Sequence, residues 1–184
     1  MLNTIKSPAP NAGESTEDAV SMLLGCHDRI RYFTAIAVRL AAADRLPPAE
    51  IVSAAEKVHR YFTVALPLHE ADENESLHPR LRAATPEGEL AGPAADAMVE
   101  QHRSIDEIVE RLVPLCELLR SNPAMHESLA PELRQISTAL EQMFDSHLGL
   151  EEETVFPAMR TYLTEEQLAE IAREMQSRRK APEV

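Results

Sequence analysis

The sequence predicts an all-α fold: an antiparallel up-down four-helix bundle with a short C-terminal helix. Three observations predict it. Apolar residues recur at three-then-four spacing through four long segments, the pattern of a core-facing helix stripe. Prolines and glycines cluster between those segments. The composition, with only 5 Gly, 4 Phe, 3 Tyr and no Trp, lacks β-hairpin turn signals and the aromatic residues that strands favour.

The first stripe is Val20, Leu23, His27, Ile30, Thr34, Ala37 and Ala41, ended by Pro47-Pro48. The second is Val52, Ala55, His59, Phe62, Leu66, His69, Glu73 and Ser76, interrupted from Pro79 to Pro93. The third is Met98, His102, Ile105, Val109, Leu112, Cys116 and Leu119, stopped by Asn122-Pro123 and Pro131. The fourth is Leu133, Ile136, Leu140, Met143, His147 and Leu150, with a break at Pro157. Short connections between long amphipathic helices imply antiparallel neighbours. Pro67 and Pro114 fall within helical patterns and are expected to kink or break them. A fifth helix begins at a capping box, Thr164 with Gln167, and docks through Leu168, Ile171 and Met175 in a structural role. The expected layout is a flexible tail over residues 1–14, the bundle over 15–160, and the C-terminal helix and tail over 161–184.

A formal net charge of −13 argues against nucleic-acid and anionic-membrane partners. No segment has the apolar length of a membrane span, and the N-terminus lacks the apolar run of a signal peptide. Cys26 and Cys116 stand far apart with no CxxC, so neither a disulfide framework nor a zinc ribbon is expected. Both are read as small core residues, with a redox-active thiol as the alternative. The expected location is cytoplasmic.

Histidine carries the chemistry. His69 and Glu73 are four apart, as are His147 and Glu151, which places each pair on one helix face about a turn apart. One such pair is ordinarily a surface ion pair of little worth. Here it occurs twice in matching register. His69 and His147 each precede a proline by ten residues, and Glu73 and Glu151 each precede the same proline by six. Upstream, His27 and His102 stand on core stripes, and both begin His-x-x-Ile. The chain thus reads as two copies of a helix pair, each giving His and then His-x-x-x-Glu. Burying four imidazoles and two carboxylates without partners is costly, and a metal pair supplies the missing charge. Imidazole with carboxylate suits iron, manganese or zinc, and two carboxylates placed to bridge favour a dinuclear site.

A rival pattern, Glu-x-x-His on two helices, occurs at Glu56 to His59 and Glu75 to His78. Both lie in the second segment, so the symmetric set is preferred. His59 is read as a core histidine or one on an access path, His78 as structural, and His126 as a loop residue between prolines. Glu70, Asp72, Glu152 and Glu153 are read as neighbours of the site or as solvated face.

These motifs resemble the hemerythrin-like, HHE cation-binding family over about residues 20–160. HEADENESLHPRL and HLGLEEETVFPAM are similar to its two His-x-x-x-Glu signatures. The resemblance implies a non-haem diiron site with an oxo- or hydroxo-type bridge. It implies the ligands His27, His69, Glu73, His102, His147 and Glu151, with Glu73 and Glu151 bridging. Oxygen-carrying members have a His-x-x-x-His pair on the third helix. Here Met98 stands four before His102 and Asp106 four after it. The four-His, two-Glu set resembles instead the repair-of-iron-centres type, although no Cys precedes Cys26. The expected function is binding, sensing or reduction of a small oxidant (oxygen, nitric oxide or peroxide), with a role in oxidative or nitrosative stress. The alternative is a non-catalytic iron or redox sensor, or an iron donor to a protein partner. No separate catalytic residue stands out.

Overall fold

In a computed structural model, which describes residues 18–180, every element is helical. The tail expected over residues 1–14 lies outside the described residues. Helix α1 spans Ala19–Ala42 and starts at Asp18, whose carboxylate accepts from the Ser21 N–H at 2.9 Å. Helix α2 covers 48–84, α3 is Ala91–Ser121, α4 covers 126–162, and α5 is Glu165–Lys180. A single helical turn, Pro123–Met125, links α3 to α4. Gly88, at φ 90°, makes the left-handed turn between α2 and α3 that a side chain would oppose. The expected capping box closes the start of α5: Thr164 N–H donates to Gln167 Oε1, and Gln167 N–H to Thr164 Oγ1. None of the described helices is long and apolar enough to cross a membrane.

The prolines act differently from expectation. Pro67, Pro79 and Pro157 neither break nor end their helices. Each follows a widened turn: Tyr61–Ala65, Asp72–Leu77 and Glu151–Val155. Within these turns the N–H of the residue just before the proline reaches a carbonyl five residues back. The bonds are Leu66 to Tyr61, His78 to Glu73, and Phe156 to Glu151. A proline has no N–H and its ring collides with the carbonyl four residues back, so the wider turn accommodates it. The turn at 61–65 also shifts the register of α2. Ile51 and Val58 face the core there, whereas Val52 and His59 are only half-buried. On α4, Phe144 and Leu148 are buried, while Met143 and Leu150 are half-buried.

Helix α1 packs on α4 and α2, and α3 packs on α2 and α4. The apolar interior is divided in two. One cluster holds Ile30, Phe62, Leu66, Ile105, Leu112, Leu133, Leu140 and Phe144. The other holds Leu23, Leu77, Met98, Val155, Phe156 and Met159, together with Ile171 and Met175 of α5. Each of the four long helices passes from one cluster to the other, and at that crossing each carries a histidine.

Candidate metal centre

The six predicted residues occupy this layer. His27 lies between Leu23 and Ile30, His69 between Leu66 and Leu77, His102 between Met98 and Ile105, and His147 between Phe144 and Val155. None of the six is more than 3% exposed. Their donor atoms form two groups that could each hold a cation: His27, His69, Glu73 and Glu151, and Glu73, His102, His147 and Glu151. Within each group all the donor atoms lie within 4.8 Å of one another.

Both carboxylates belong to both groups, and their oxygens divide accordingly. Glu73 turns Oε1 to His69 Nε2 at 3.5 Å and Oε2 to His102 Nε2 at 3.1 Å. Glu151 turns Oε2 to His27 Nε2 at 2.9 Å and Oε1 to His147 Nε2 at 3.1 Å. The ten- and six-residue intervals to proline now have a physical reading. The carbonyls of Glu73 and Glu151 accept from the residue before each proline, so the two glutamates sit on equivalent widened turns.

Away from the carboxylates, three imidazoles have a partner at Nδ1. His27 meets Glu152 Oε1 at 2.7 Å, His102 meets Asn74 Oδ1 at 2.9 Å, and His147 meets Gln101 Oε1 at 3.1 Å. With acceptors there, Nδ1 carries the proton and Nε2 presents its lone pair inward. His27 Nε2, His69 Nε2, Glu73 Oε1 and both Glu151 oxygens are buried without a hydrogen bond of acceptable geometry. Buried polar atoms crowded together and left unpaired in this way suit a cation.

Electrostatics agree. Burial, followed by repulsion from the other imidazoles, holds His69 well below the ordinary histidine range, and burial also lowers His102. Burial, with the other imidazoles adding to it, pushes His147 down to about 2. Burial together with neighbouring carboxylates raises Glu73 well above its usual value, and burial then Glu73 raise Glu151 to about 8. His69, His102 and His147 are therefore neutral, as metal binding requires, and the carboxylates hold protons until a cation displaces them.

The surroundings revise several expectations. Asp72 and Glu70 are buried rather than solvated, and burial raises Glu70 to about 7. Asp72 takes one guanidinium on each oxygen, Arg178 Nη1 at 2.9 Å and Arg179 Nη2 at 2.7 Å. Helix α5 is thereby tied to the turn that carries Glu73. Glu152 is half-buried against His27, and Arg31 Nη2 donates to its Oε1 at 2.8 Å. Burial acts to raise the Glu152 carboxyl, but these two contacts outweigh it and hold it below the ordinary range. Asn74 and Gln101 were not singled out in the sequence. Each is adjacent to a candidate ligand, a signal too common to stand out among polar helix residues.

The remaining histidines lie elsewhere. His59 is half-buried with Nε2 3.3 Å from Glu117 Oε1, near an open groove lined by Val52, Glu56, Glu117, Arg120 and Ser121. His78 pairs with Asp96 at 2.8 Å. His126, expected in a loop, begins α4, is buried, and donates from Nε2 to the Leu40 carbonyl at 2.8 Å. The rival Glu-x-x-His pattern does not converge: Glu56 is exposed, and exposed Glu75 accepts from Arg178. Both cysteines are buried and free. Arg29 and Arg179 donate to Cys26 Sγ, and burial raises Cys116 to about 12.

Helices converging on buried imidazoles and shared carboxylates define a helical cation-binding protein. The chain belongs to the hemerythrin HHE cation-binding domain family, whose model matches residues 18–116 and again residues 93–181. Each match contains one complete His, His-x-x-x-Glu copy, in agreement with the internal repeat. No curated protein matches the chain.

Proposed function

We propose that the chain is a non-haem diiron protein. In this reading the four long helices run alternately up and down. His27 and His69 hold one iron, His102 and His147 hold the other, and Glu73 and Glu151 bridge them. The observation that carries it is the division of each carboxylate, one oxygen toward each histidine pair. Six protein donors for two ions leave coordination open for a further ligand. The bound pair would supply inner-sphere binding of a small oxidant and electron exchange with it. The chain's residues fix the imidazole tautomers, neutralise charge and exclude bulk water. With every donor at most 3% exposed, the site suits diatomic molecules or peroxide rather than larger substrates.

The test is anaerobic loading with ferrous iron, metal analysis, and absorption spectra before and after oxygen, nitric oxide and peroxide. Two irons per chain and a spectrum altered by at least one oxidant are expected. Fewer than two irons, or indifference to all three oxidants, would overturn the reading. Rapid multiple turnover would place the role in oxidant reduction. Slow turnover with metal-dependent partner binding would place it in sensing or iron donation.

A further inference from the structure

The two halves are copies, so contacts at equivalent places can be compared one by one. His27 corresponds to His102, and the residue after each bridging carboxylate, Asn74 or Glu152, corresponds across the copies. The structure crosses them over. Asn74, in the first copy, meets Nδ1 of His102 in the second, and Glu152, in the second, meets Nδ1 of His27 in the first. The geometry is shared but the chemistry is not. One acceptor is a carboxylate at 2.7 Å, and the other is the amide of exposed Asn74 at 2.9 Å.

The residues four on from these histidines also differ. Arg31 donates to Glu152, whereas Asp106 occupies the matching place after His102. The remaining pair differs as well. Gln101 receives His147 Nδ1 at 3.1 Å. Its counterpart is Cys26, whose sulfur is engaged by Arg29 and Arg179, and His69 Nδ1 has no hydrogen-bond partner. One metal position is therefore supported by two neutral amides, and the other by a single carboxylate.

We propose that Glu152 is the positioning residue for the His27 and His69 metal position alone, and that without its charge this position becomes the weaker of the two. The inference rests on the two-metal reading above. A charge-assisted hydrogen bond is about twice as strong as a neutral one. A carboxylate behind an imidazole fixes the ring and makes Nε2 a stronger donor. At the other position the support is shared, so no one contact is decisive there. Arg31 shares that oxygen with His27, its Nη2 donating to Glu152 Oε1 at 2.8 Å, and so helps hold the carboxylate in place.

The experiment is titration of the metal-free full chain with Co2+. It is followed by visible absorption for stoichiometry and affinity, and by 15N histidine NMR to show which imidazoles respond first. In Glu152→Gln two cobalt ions should still bind, with one class weakened about 10- to 100-fold, the range typical of such contacts. His102 and His147 should respond before His27 and His69. Asn74→Ala is expected to weaken the His102 and His147 position instead, and by less. Equal weakening of both classes by Glu152→Gln, as a general loosening of the fold produces, overturns the proposal, and so does no weakening at all. Fewer than two cobalt ions on the unsubstituted chain removes the two-metal reading, and this inference with it.

Discussion

The two copies of the repeat build nearly the same half-site, yet only the first is clamped. Asp72, just before Glu73, is fully buried and holds both Arg178 and Arg179 of α5. The residue just before Glu151 is Leu150, half-buried and packed against the apolar cluster at that end. The inward-facing donors obey the metal chemistry and are duplicated. The outward-facing positions obey local packing and have diverged. The repeat thus keeps the inward-facing donor set and varies what surrounds it.

The largest expected effect separates shared donors from unshared ones. Glu151→Ala removes a donor from both groups, and metal analysis after iron loading should show both ions lost. Glu73→Ala should behave likewise. His27→Ala or His147→Ala removes a donor from one group only and should leave about one ion per chain. Equal losses from glutamate and histidine variants would argue that the two groups are not separate positions.

Proton linkage gives the next contrast. The folded pKa of Glu151, about 8, lies above the ordinary carboxylate value. The metal-free fold therefore binds a proton that the unfolded chain releases, and stability falls as pH rises through this range. The lowered histidines act in the opposite sense, but only below about pH 7.5, where unfolded imidazoles begin to take up protons. Between pH 7.5 and 8.5 unfolded imidazoles are already neutral and the raised carboxylate dominates, so the metal-free chain should lose about 1 kcal/mol. Metal binding displaces the carboxylate protons, so affinity should rise about tenfold per pH unit for each proton released, up to about pH 8. Thermal melts with and without chelator at the two pH values, with calorimetry in two buffers, check both signs. A metal-free chain more stable at pH 8.5 than at 7.5 would contradict the protonated carboxylate.

Much of this was legible in the sequence, for identifiable reasons. The stripe of α3 was legible because a regular helix maps sequence spacing directly onto a face, and the four-residue His-to-Glu spacing still turns both side chains inward where the widened turns begin. The face of α2 near Ile51 and Val58 did not, because the wide turn at 61–65 rotates everything before it. Pro79 and Pro157 read as stops because a proline ordinarily ends a helix. Here the turn before each had widened, and the glutamates depend on it. The acidic runs hid the distinction between Asp72, Glu152 and Glu153, since identical charge can be buried against arginine, half-buried against a histidine, or exposed. The partners that decide this, Arg178, Arg179 and Arg31, are remote in sequence.

The clamp itself can be broken. Asp72→Ala removes two charge-assisted bonds and unties α5 from the Glu73 turn. The guanidiniums keep some access to water, so the cost should fall below that of a fully buried ion pair, at about 2 kcal/mol. Denaturant unfolding of the metal-free chain measures it. Metal affinity should fall too, first through Glu73. The matching Leu150→Ala removes packing but no charge contact and should leave affinity nearly unchanged. If both variants weaken metal binding equally, the clamp is ordinary packing.

The smallest expected effect tests the end of the molecule remote from the clamp. His126 donates to the Leu40 carbonyl near the end of α1, next to the cluster to which α5 contributes no residue. His126→Ala leaves that carbonyl without its partner, and a lost buried hydrogen bond costs about 1 kcal/mol. The cluster on that side holds no metal donor, and α1 runs more than two turns from Leu40 back to His27. Stability should therefore drop while metal content stays at two ions per chain. The same scan on Asp72→Ala should show both falling together. Loss of metal from His126→Ala would mean that the two clusters are not independent supports of the polar layer, and that the whole length of α1 sets the position of His27.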